Sequence, residues 1–489
     1  MATVSLVSAP ARTQVVIVGL RPGPDDATPT IAPGAEHVSA ALGDRLAPAL
    51  RALGATGKAE QVVKLATLGL APYPLVIAVG LGGEPGETTA APEAVRRAVG
   101  AAVRTLTPDV TTVEIAIADG GVAAAEGALL GDYAFTAYKS DAKPVRRRYA
   151  LLTSGASRAE LRRAKAVTDA VALTRDLVNT PPNDLYPASL AQRYEAAAQA
   201  VGAQVEVLDE RALKRGGYGG ILGVGGGSSR PPRLVRVHYR GARARSRIAL
   251  VGKGITFDTG GLNLKTGAGM ATMKSDMGGS AAVVAALIAA ATLKLPVELS
   301  ATVALAENMV SATSYRPSDV LRLYSGKTLE IANTDAEGRI VLADAIARAG
   351  EDDPDYLLEA STLTGAQVVA LGNRVIAAMG EPELRDRVTA AGNAVGEAVW
   401  AMPLPDEMRS VIESPVADLA NLPSQPGAGM LAAGIFLGQF VTDATPWVHL
   451  DIAGPSFNSG AAYGYTPTGG TGAAVRTLLA SIEDIGANG

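Results

Sequence analysis

Asn333-Thr334-Asp335-Ala336-Glu337-Gly338-Arg339 sets two carboxylates and a guanidinium within five consecutive positions. Asp335 and Glu337 are two residues apart, so an extended backbone would project both side chains to one side. Gly338 lets the chain turn and come close to a ligand. The run Ile340 to Ala347 reads as a buried helix. Arg339 then falls in its first turn, where unpaired N–H groups favour an anion. Carboxylates suited to cations therefore adjoin a place suited to an anion.

A second cluster lies upstream. Ile248-Ala249-Leu250-Val251 reads as a short apolar strand that enters Gly252-Lys253-Gly254-Ile255-Thr256-Phe257-Asp258-Thr259-Gly260-Gly261, with Lys265 and Asp276 following. A polar, glycine-studded loop after a buried strand is where α/β sheets place ligands. The chain has three histidines, His37, His238 and His449, and no cysteine. That argues against zinc sites built on three histidines, on two histidines and a glutamate, or on thiolates, and there is no HExxH helix. A metal here must be held mainly by carboxylates, which suits Mg, Mn or oxygen-ligated Zn.

Several longer motifs share this order. They are Val251 to Asp258, Asp276-Met277-Gly278-Gly279, Asn333 to Arg339, Thr362-Leu363-Thr364-Gly365-Ala366 and Trp447-Val448-His449-Leu450-Asp451-Ile452-Ala453-Gly454, with Leu177 to Asn183 ahead of them. On these residues the chain resembles the leucyl aminopeptidase (cytosol aminopeptidase) family of two-metal exopeptidases, in its bacterial form. The resemblance runs from near Arg175 to the end. The N-terminal third matches in length and α/β character only. One departure is Glu359, where the family usually carries Asp.

The resemblance implies a site. Asp258 and Glu337 would bridge two divalent metals, Asp335 would complete one, and Lys253 and Asp276 the other. Mn2+ or Zn2+ would occupy it, with Mg2+ also admitted. Lys253 must be neutral to ligate, and neighbouring dications would depress its pKa. Lys265 would stabilise the oxyanion on the scissile carbonyl. Arg339 would hold a bicarbonate that serves as general base, since a planar fork suits a small planar anion. His449 sits in an apolar strand and reads as structural. Met273, Thr362, Gly365 and Ala453 would line the pocket for the N-terminal side chain, with Asn333 and Leu363 as further substrate contacts. An apolar, medium-sized lining suits Leu and Met side chains. The implied protein is a homohexamer, a dimer of trimers, acting on peptides with a free N-terminus.

These motifs need a frame to hold them. The 489 residues exceed one ordinary core, so two domains are expected. Residues 1–155 read as a smaller α/β domain, with strands at Val15 to Val18, Leu75 to Val79 and Val113 to Ile117 between alanine-rich helices. Residues 156–181 read as a connecting helix segment, helical from Ala156 to Leu177 and ending before Asn179-Thr180-Pro181-Pro182-Asn183. Residues 182–489 read as the larger catalytic α/β domain. Its strands are expected at Ile248 to Val251, Val297 to Leu305 and Tyr356 to Leu358, with a helix from Ala281 to Leu293. The resemblance implies a mostly parallel sheet.

Net charge is −4 with 19% charged residues, which argues against a protein that coats nucleic acid. Arg146-Arg147-Arg148 and Arg240 to Arg247 are the only basic candidates for a DNA-binding rival role. A carboxylate two-metal phosphoesterase is a third reading, disfavoured by the peptidase motifs. The N-terminus lacks a basic segment followed by a long apolar one. Ala281 to Leu293 is too short to span a bilayer. A cytoplasmic protein without membrane contact is the expectation.

Overall fold

The computed structural model describes residues 2–23, 28–84, 89–142, 145–152, 155–425 and 427–489. They form two compact units, Met1–Thr168 with Gly460–Thr468, and Asp169–Ser459 with Gly469–Gly489.

The first unit is built on a sheet whose strands run in the order Thr3–Val7, Arg148–Leu152, Thr112–Ala116, Val15–Arg21, Leu75–Gly80 and Val62–Ala66. The pairings are parallel up to Leu75–Gly80, and the last is antiparallel. Val15 to Arg21 is an unbroken buried run because both faces are covered. Val15 and Ile17 pack with the helix Pro92–Val103, while Val16, Val18 and Leu20 pack with Glu36–Leu42 and Leu46–Ala52. Gly460–Thr468 belongs here although it lies late in the chain. Tyr465 Oη donates to Glu93 Oε1 at 2.7 Å, and Gly464 N–H donates to Glu60 Oε2 at 2.6 Å. A long helix runs over Arg158–Asn179.

The second unit carries the motifs. Its labelled elements are β1 (Arg247–Asp258), α1 (Gly278–Leu293), β2 (Glu298–Asn308), α2 (Gly338–Gly350), β3 (Tyr356–Ser361) and β4 (Trp447–Asp451). The central strands β4-β3-β1-β2 pair in parallel. The flanks turn antiparallel, with Ile376–Gly380 beside β4, Arg233–Arg240 beside β2 and Gln204–Leu208 beyond it. The strands thus outrun their expected bounds, since β1 reaches Asp258 and β2 reaches Asn308.

Alanine surrounds α1 on every side, and nearly all of it is buried. A helix apolar all round belongs inside a protein or a membrane. Among the described residues, Gly267–Leu293 is long and apolar enough to cross a bilayer by composition. It is broken into the helix Gly267–Met270, a 3-10 turn Met273–Ser275 and α1, and most of it is buried in this unit.

Candidate active site

The site gathers at the C-terminal ends of β1, β2, β3 and β4, where parallel sheets place ligands. Near its end β1 shifts register against β2 between Ile255 and Phe257. Such a bulge re-aims the side chains beyond it. Asp258 then stands opposite Asn308, whose Nδ2 donates to Asp258 Oδ1 at 2.8 Å, and Gly260 N–H donates to the same oxygen at 2.8 Å.

Asn333 to Glu337 is a turn rather than the extended segment expected from the two-residue spacing. Several side chains hold it. Asn421 Oδ1 accepts from Ala332 N–H at 2.8 Å and Asn333 N–H at 3.2 Å, and its Nδ2 donates to Asn333 O at 2.6 Å. Thr334 Oγ1 donates to Gly260 O at 2.6 Å and accepts from Asn263 N–H at 2.8 Å. Asn333 Oδ1 accepts from Asp335 N–H at 2.8 Å. Asn333 therefore shapes the acidic turn, a role its reading as a substrate contact did not include.

The turn brings Asp335 and Glu337 to Asp258, with one carboxylate oxygen of each within 4.8 Å of the others. Two lysines stand among these carboxylates. Lys253 Nζ lies 2.9 Å from Asp276 Oδ2 and 2.8 Å from Glu337 Oε1, and it donates to Thr362 O at 3.0 Å. Lys265 Nζ lies 2.9 Å from Asp258 Oδ2 and 2.5 Å from Asp335 Oδ1. Each ammonium thus bridges one pair of carboxylates.

Electrostatics follow from burial and this pairing. Burial disfavours the Lys253 ammonium, but Asp276, Glu337 and Asp258 outweigh it and hold its pKa above the ordinary lysine value. Lys265 is raised in the same way by Asp258 and Asp335. Burial and the Glu337 charge push Asp258 up, and burial pushes Asp276 up against the pull of Lys253. Glu337 is drawn down despite burial, because it receives Lys253 directly and feels Lys265. Four carboxylates, three of them buried, share two ammonium groups, so the oxygen donors outnumber the cations that pair with them. Glu337 Oε2 is buried and makes no hydrogen bond within the described protein. Oxygen donors in excess, one of them unsatisfied, fit divalent cations.

Arg339 is the second residue of α2 and is buried. Its Nε and Nη1 make no hydrogen bond among the described residues. Burial lowers its pKa to about 10, against the opposing charges of Glu337 and Asp451. A buried guanidinium with free donors in the first turn of a helix fits a small planar anion.

The expected pocket residues divide. Thr362 Oγ1 donates to Asp276 Oδ1 at 2.7 Å, and Met273 O accepts Asp276 N–H at 3.2 Å. Leu363 and Ala453 meet through Asp451, whose Oδ1 accepts both of their N–H groups, at 3.2 and 3.1 Å. Gly365 opens the helix Gly365–Leu371 and is exposed, standing apart from the hydrogen bonds that join the others among the described residues. Met273, Leu363 and Ala453 are half-buried.

The sequence reading assigned no role to Asn308, Asn421, Thr334 or Asp451. A charged residue inside the apolar Trp447 to Gly454 stretch was an available signal for Asp451, because such residues are rarely buried without a purpose. Glu359, the family departure, meets His449: its Oε2 contacts His449 Nδ1, and both residues are fully buried. His449 is thus held at its Nδ1 by a buried carboxylate.

The chain is similar to known proteins along both of its domains. The model of the cytosol aminopeptidase family catalytic domain matches residues 172–479, and that of its N-terminal domain matches residues 17–142. A probable cytosol aminopeptidase of Mycobacterium marinum is 54% identical over 456 residues, covering 90% of this chain and 87% of its own length. One from Rhodococcus jostii is 51% identical over 490 residues, covering 98% and 96%. Among solved structures, the bottromycin maturation enzyme BotP in complex with Mn is similar with a TM-score of 0.85 at 35% identity, covering 97% of this chain and 100% of its own. The cytosol aminopeptidase of Coxiella burnetii is similar with a TM-score of 0.83 at 30% identity, covering 98% and 99%. Matched in both domains and over nearly its whole length, the chain belongs to the cytosol aminopeptidase family of metallo-exopeptidases.

Proposed function

We propose that the protein is a two-metal leucyl aminopeptidase that removes N-terminal residues from peptides, Leu first and other apolar residues after it. The observation that carries this reading is the convergence of Asp258, Asp335 and Glu337 beside two carboxylate-bridging lysines. Asp258 and Glu337 would each bind both metals, Asp335 one of them, and Lys253 and Asp276 the other. Mn2+, Zn2+ or Mg2+ suits these donors. Two such ions, when bound, supply Lewis acidity and lower the pKa of a shared water toward about 7. Their charge would also reverse the sign of the Lys253 shift and free its lone pair.

The chain's own groups do the rest. Asp276 accepts a hydrogen bond from the substrate's free α-amine. Lys265, partly accessible beside Asp335, stabilises the negative charge that develops on the scissile carbonyl oxygen. Arg339 orients a bicarbonate, which supplies a general base when bound. Met273, Thr362, Leu363, Gly365 and Ala453 receive the N-terminal side chain, with Asn333 at its edge.

In this reading residues 182–489 are the catalytic portion, joined by the helix 156–181 to the domain of residues 1–155. The enzyme works in the cytoplasm as a homohexamer. Three of the seven arginines that are candidates for a DNA-binding role already stand in ion pairs. Arg147 pairs with Asp132, Arg240 with Glu298 at 3.5 Å, and Arg247 with Asp353 at 3.2 Å.

The test is release of free amino acid from Leu-peptides, with and without added Mn2+ or Zn2+ and after chelation. Metal-dependent release, fastest for Leu, is expected. Full activity after exhaustive metal removal would overturn the mechanism, and equal rates on charged N-terminal residues would overturn the substrate preference.

A further inference from the structure

One carboxamide ties the end of β1 to the acidic turn. Asn308 closes β2 as the register partner of Asp258 and is fully buried. Its carbonyl O accepts Thr259 N–H at 3.0 Å and Thr259 Oγ1 at 2.8 Å, which fixes its backbone against the end of β1. Its side-chain Nδ2 then donates twice, to Asp258 Oδ1 at 2.8 Å and to Thr334 O at 3.0 Å. Both neighbours are oxygen acceptors, which places the NH2 rather than the carbonyl at that end. One hydrogen thus goes to the strand that carries Asp258. The other goes to the residue just before Asp335.

Two features set this contact apart from ordinary packing. Each acceptor already has a second donor. Gly260 N–H donates to Asp258 Oδ1 at 2.8 Å, and the buried Tyr315 donates from Oη to Thr334 O at 2.7 Å. Neither oxygen would be orphaned without Asn308. The far end of the carboxamide, by contrast, is unsatisfied. Asn308 Oδ1 is buried and makes no hydrogen bond among the described residues. The turn at Gly261 closes over it: a Cβ there would stand 3.1 Å from Asn308 Oδ1 and 2.9 Å from Thr334 Oγ1. A buried carbonyl left unpaired costs stability. The side chain is therefore a net burden on the fold at one end and dispensable for satisfying either acceptor at the other. What it supplies is a fixed separation between Asp258 and the turn.

We infer that Asn308 is a positioning residue that clasps Asp258 to the Asp335–Glu337 turn, so that three carboxylates from two segments meet the metals in one arrangement. The amide suits this task because it is neutral and carries two N–H donors on one atom. Lys265 also spans Asp258 and Asp335, but in the proposed reaction it turns to the substrate. Thr334 Oγ1 reaches Gly260 and Asn263, not the Asp258 carboxylate. Asn421 holds the turn through backbone atoms alone. The inference rests on reading Asp258, Asp335 and Glu337 as metal ligands.

The test is Mn2+ titration of the full chain after chelation, as wild type, Asn308→Leu, Tyr315→Phe and the double variant. Free Mn2+ is read by electron paramagnetic resonance, and the melting temperature of each metal-free protein is recorded. Leucine copies the branched shape of asparagine with no donor and no orphaned oxygen. Groups that orient metal ligands from behind are worth about 10–100-fold in affinity. Asn308→Leu should bind Mn2+ weaker by about that factor, while its metal-free melting temperature holds or rises. Tyr315→Phe leaves Asp258 untouched and should lose about tenfold at most, the worth of one ordinary hydrogen bond. The double variant should lose more than the product of the two, because Thr334 O then keeps neither donor. Unchanged affinity in Asn308→Leu would overturn the clasp, as would a melting temperature that falls with the affinity. Strictly multiplicative losses would overturn it too, since Asn308 would then act on Asp258 alone. A wild type that takes up no Mn2+ would overturn the metal reading and the clasp together, whereas an indifferent Asn308→Leu beside a metal-binding wild type overturns the clasp only.

Discussion

Gly338 makes room for Lys253. A Cβ at position 338 would stand 2.6 Å from Lys253 Cε and 2.7 Å from its Nζ, closer than any real contact. The lysine crosses the start of α2 to reach Glu337 and Asp276, and only a residue without a side chain lets it pass.

This contact predicts loss of both stability and metal in Gly338→Ala. Alanine is favoured over glycine in a helix interior by about 1 kcal/mol, but displacing Lys253 unpairs the buried carboxylates of Asp276 and Glu337, so the melting temperature of the metal-free protein should fall. Lys253 should be displaced, and metal content should drop from two ions toward one with loss of peptide hydrolysis. Elemental analysis with a thermal melt reads both. Two ions and full activity in the variant would remove Lys253 from the ligand set.

Ligands and the oxyanion group should also part. Asp258→Ala or Glu337→Ala removes a carboxylate expected to touch both cations, so each should empty the site and abolish turnover while the fold survives. Lys265→Ala should keep both metals and lower kcat by about 10²–10³-fold, the usual loss for one oxyanion donor. Metal analysis of the three variants decides this. Two ions retained in Asp258→Ala would end the bridging assignment, and metal loss in Lys265→Ala would make Lys265 a ligand.

Asp344 gives a pH dependence outside the metal cluster. It is fully buried on α2, and its carboxylate accepts Ile221 N–H at 2.9 Å and Tyr324 N–H at 2.8 Å. Burial pushes its pKa up to about 7 against those hydrogen bonds. The unfolded value is about 3.9. Between these two the folded state binds more protons than the unfolded, so this group's contribution to stability falls as pH rises from about 4 to about 7. Asp344→Asn cannot titrate. The stability of wild type relative to the variant should therefore decline across that interval and level off above it. Denaturant unfolding at several pH values checks this, and a constant difference would contradict the buried, raised carboxyl.

The sequence exposed the carboxylates of the candidate site and hid what aims them. Asp335 and Glu337 stood out because two carboxylates and a glycine beside an apolar run are rare without a reason. Their spacing nonetheless suggested an extended segment, and the turn that forms is dictated by Asn421, which lies 88 residues from Asn333. No period or local pattern marks such a residue, since its value comes from four side-chain hydrogen bonds to a distant loop. Gly338 was read as a bend. Its true constraint is Lys253, which approaches from another strand. The central strands were legible from apolar runs, while the bulge before Asp258 was not, because register belongs to a pair of strands rather than to one.

Substitution of Arg339 should separate catalysis from metal binding. Its side chain is buried, its Nε and Nη1 are unpaired within the described protein, and it follows Glu337 by two residues without being placed to ligate a cation. Arg339→Ala should keep both metals and lose bicarbonate binding. The loss should fall mainly on kcat, because proton transfer matters more in the transition state than in ground-state binding. General base catalysis contributes about 10²–10⁴-fold, so a measurable remainder should persist. Arg339→Lys should recover only part, since a point charge cannot hold a planar anion at two points. Added bicarbonate should raise wild-type turnover when ambient carbonate is low and leave Arg339→Ala nearly unchanged. Steady-state kinetics across a bicarbonate series would show this. If both proteins rose in parallel, the anion would be acting elsewhere and Arg339 would be left as a structural cation at the head of α2.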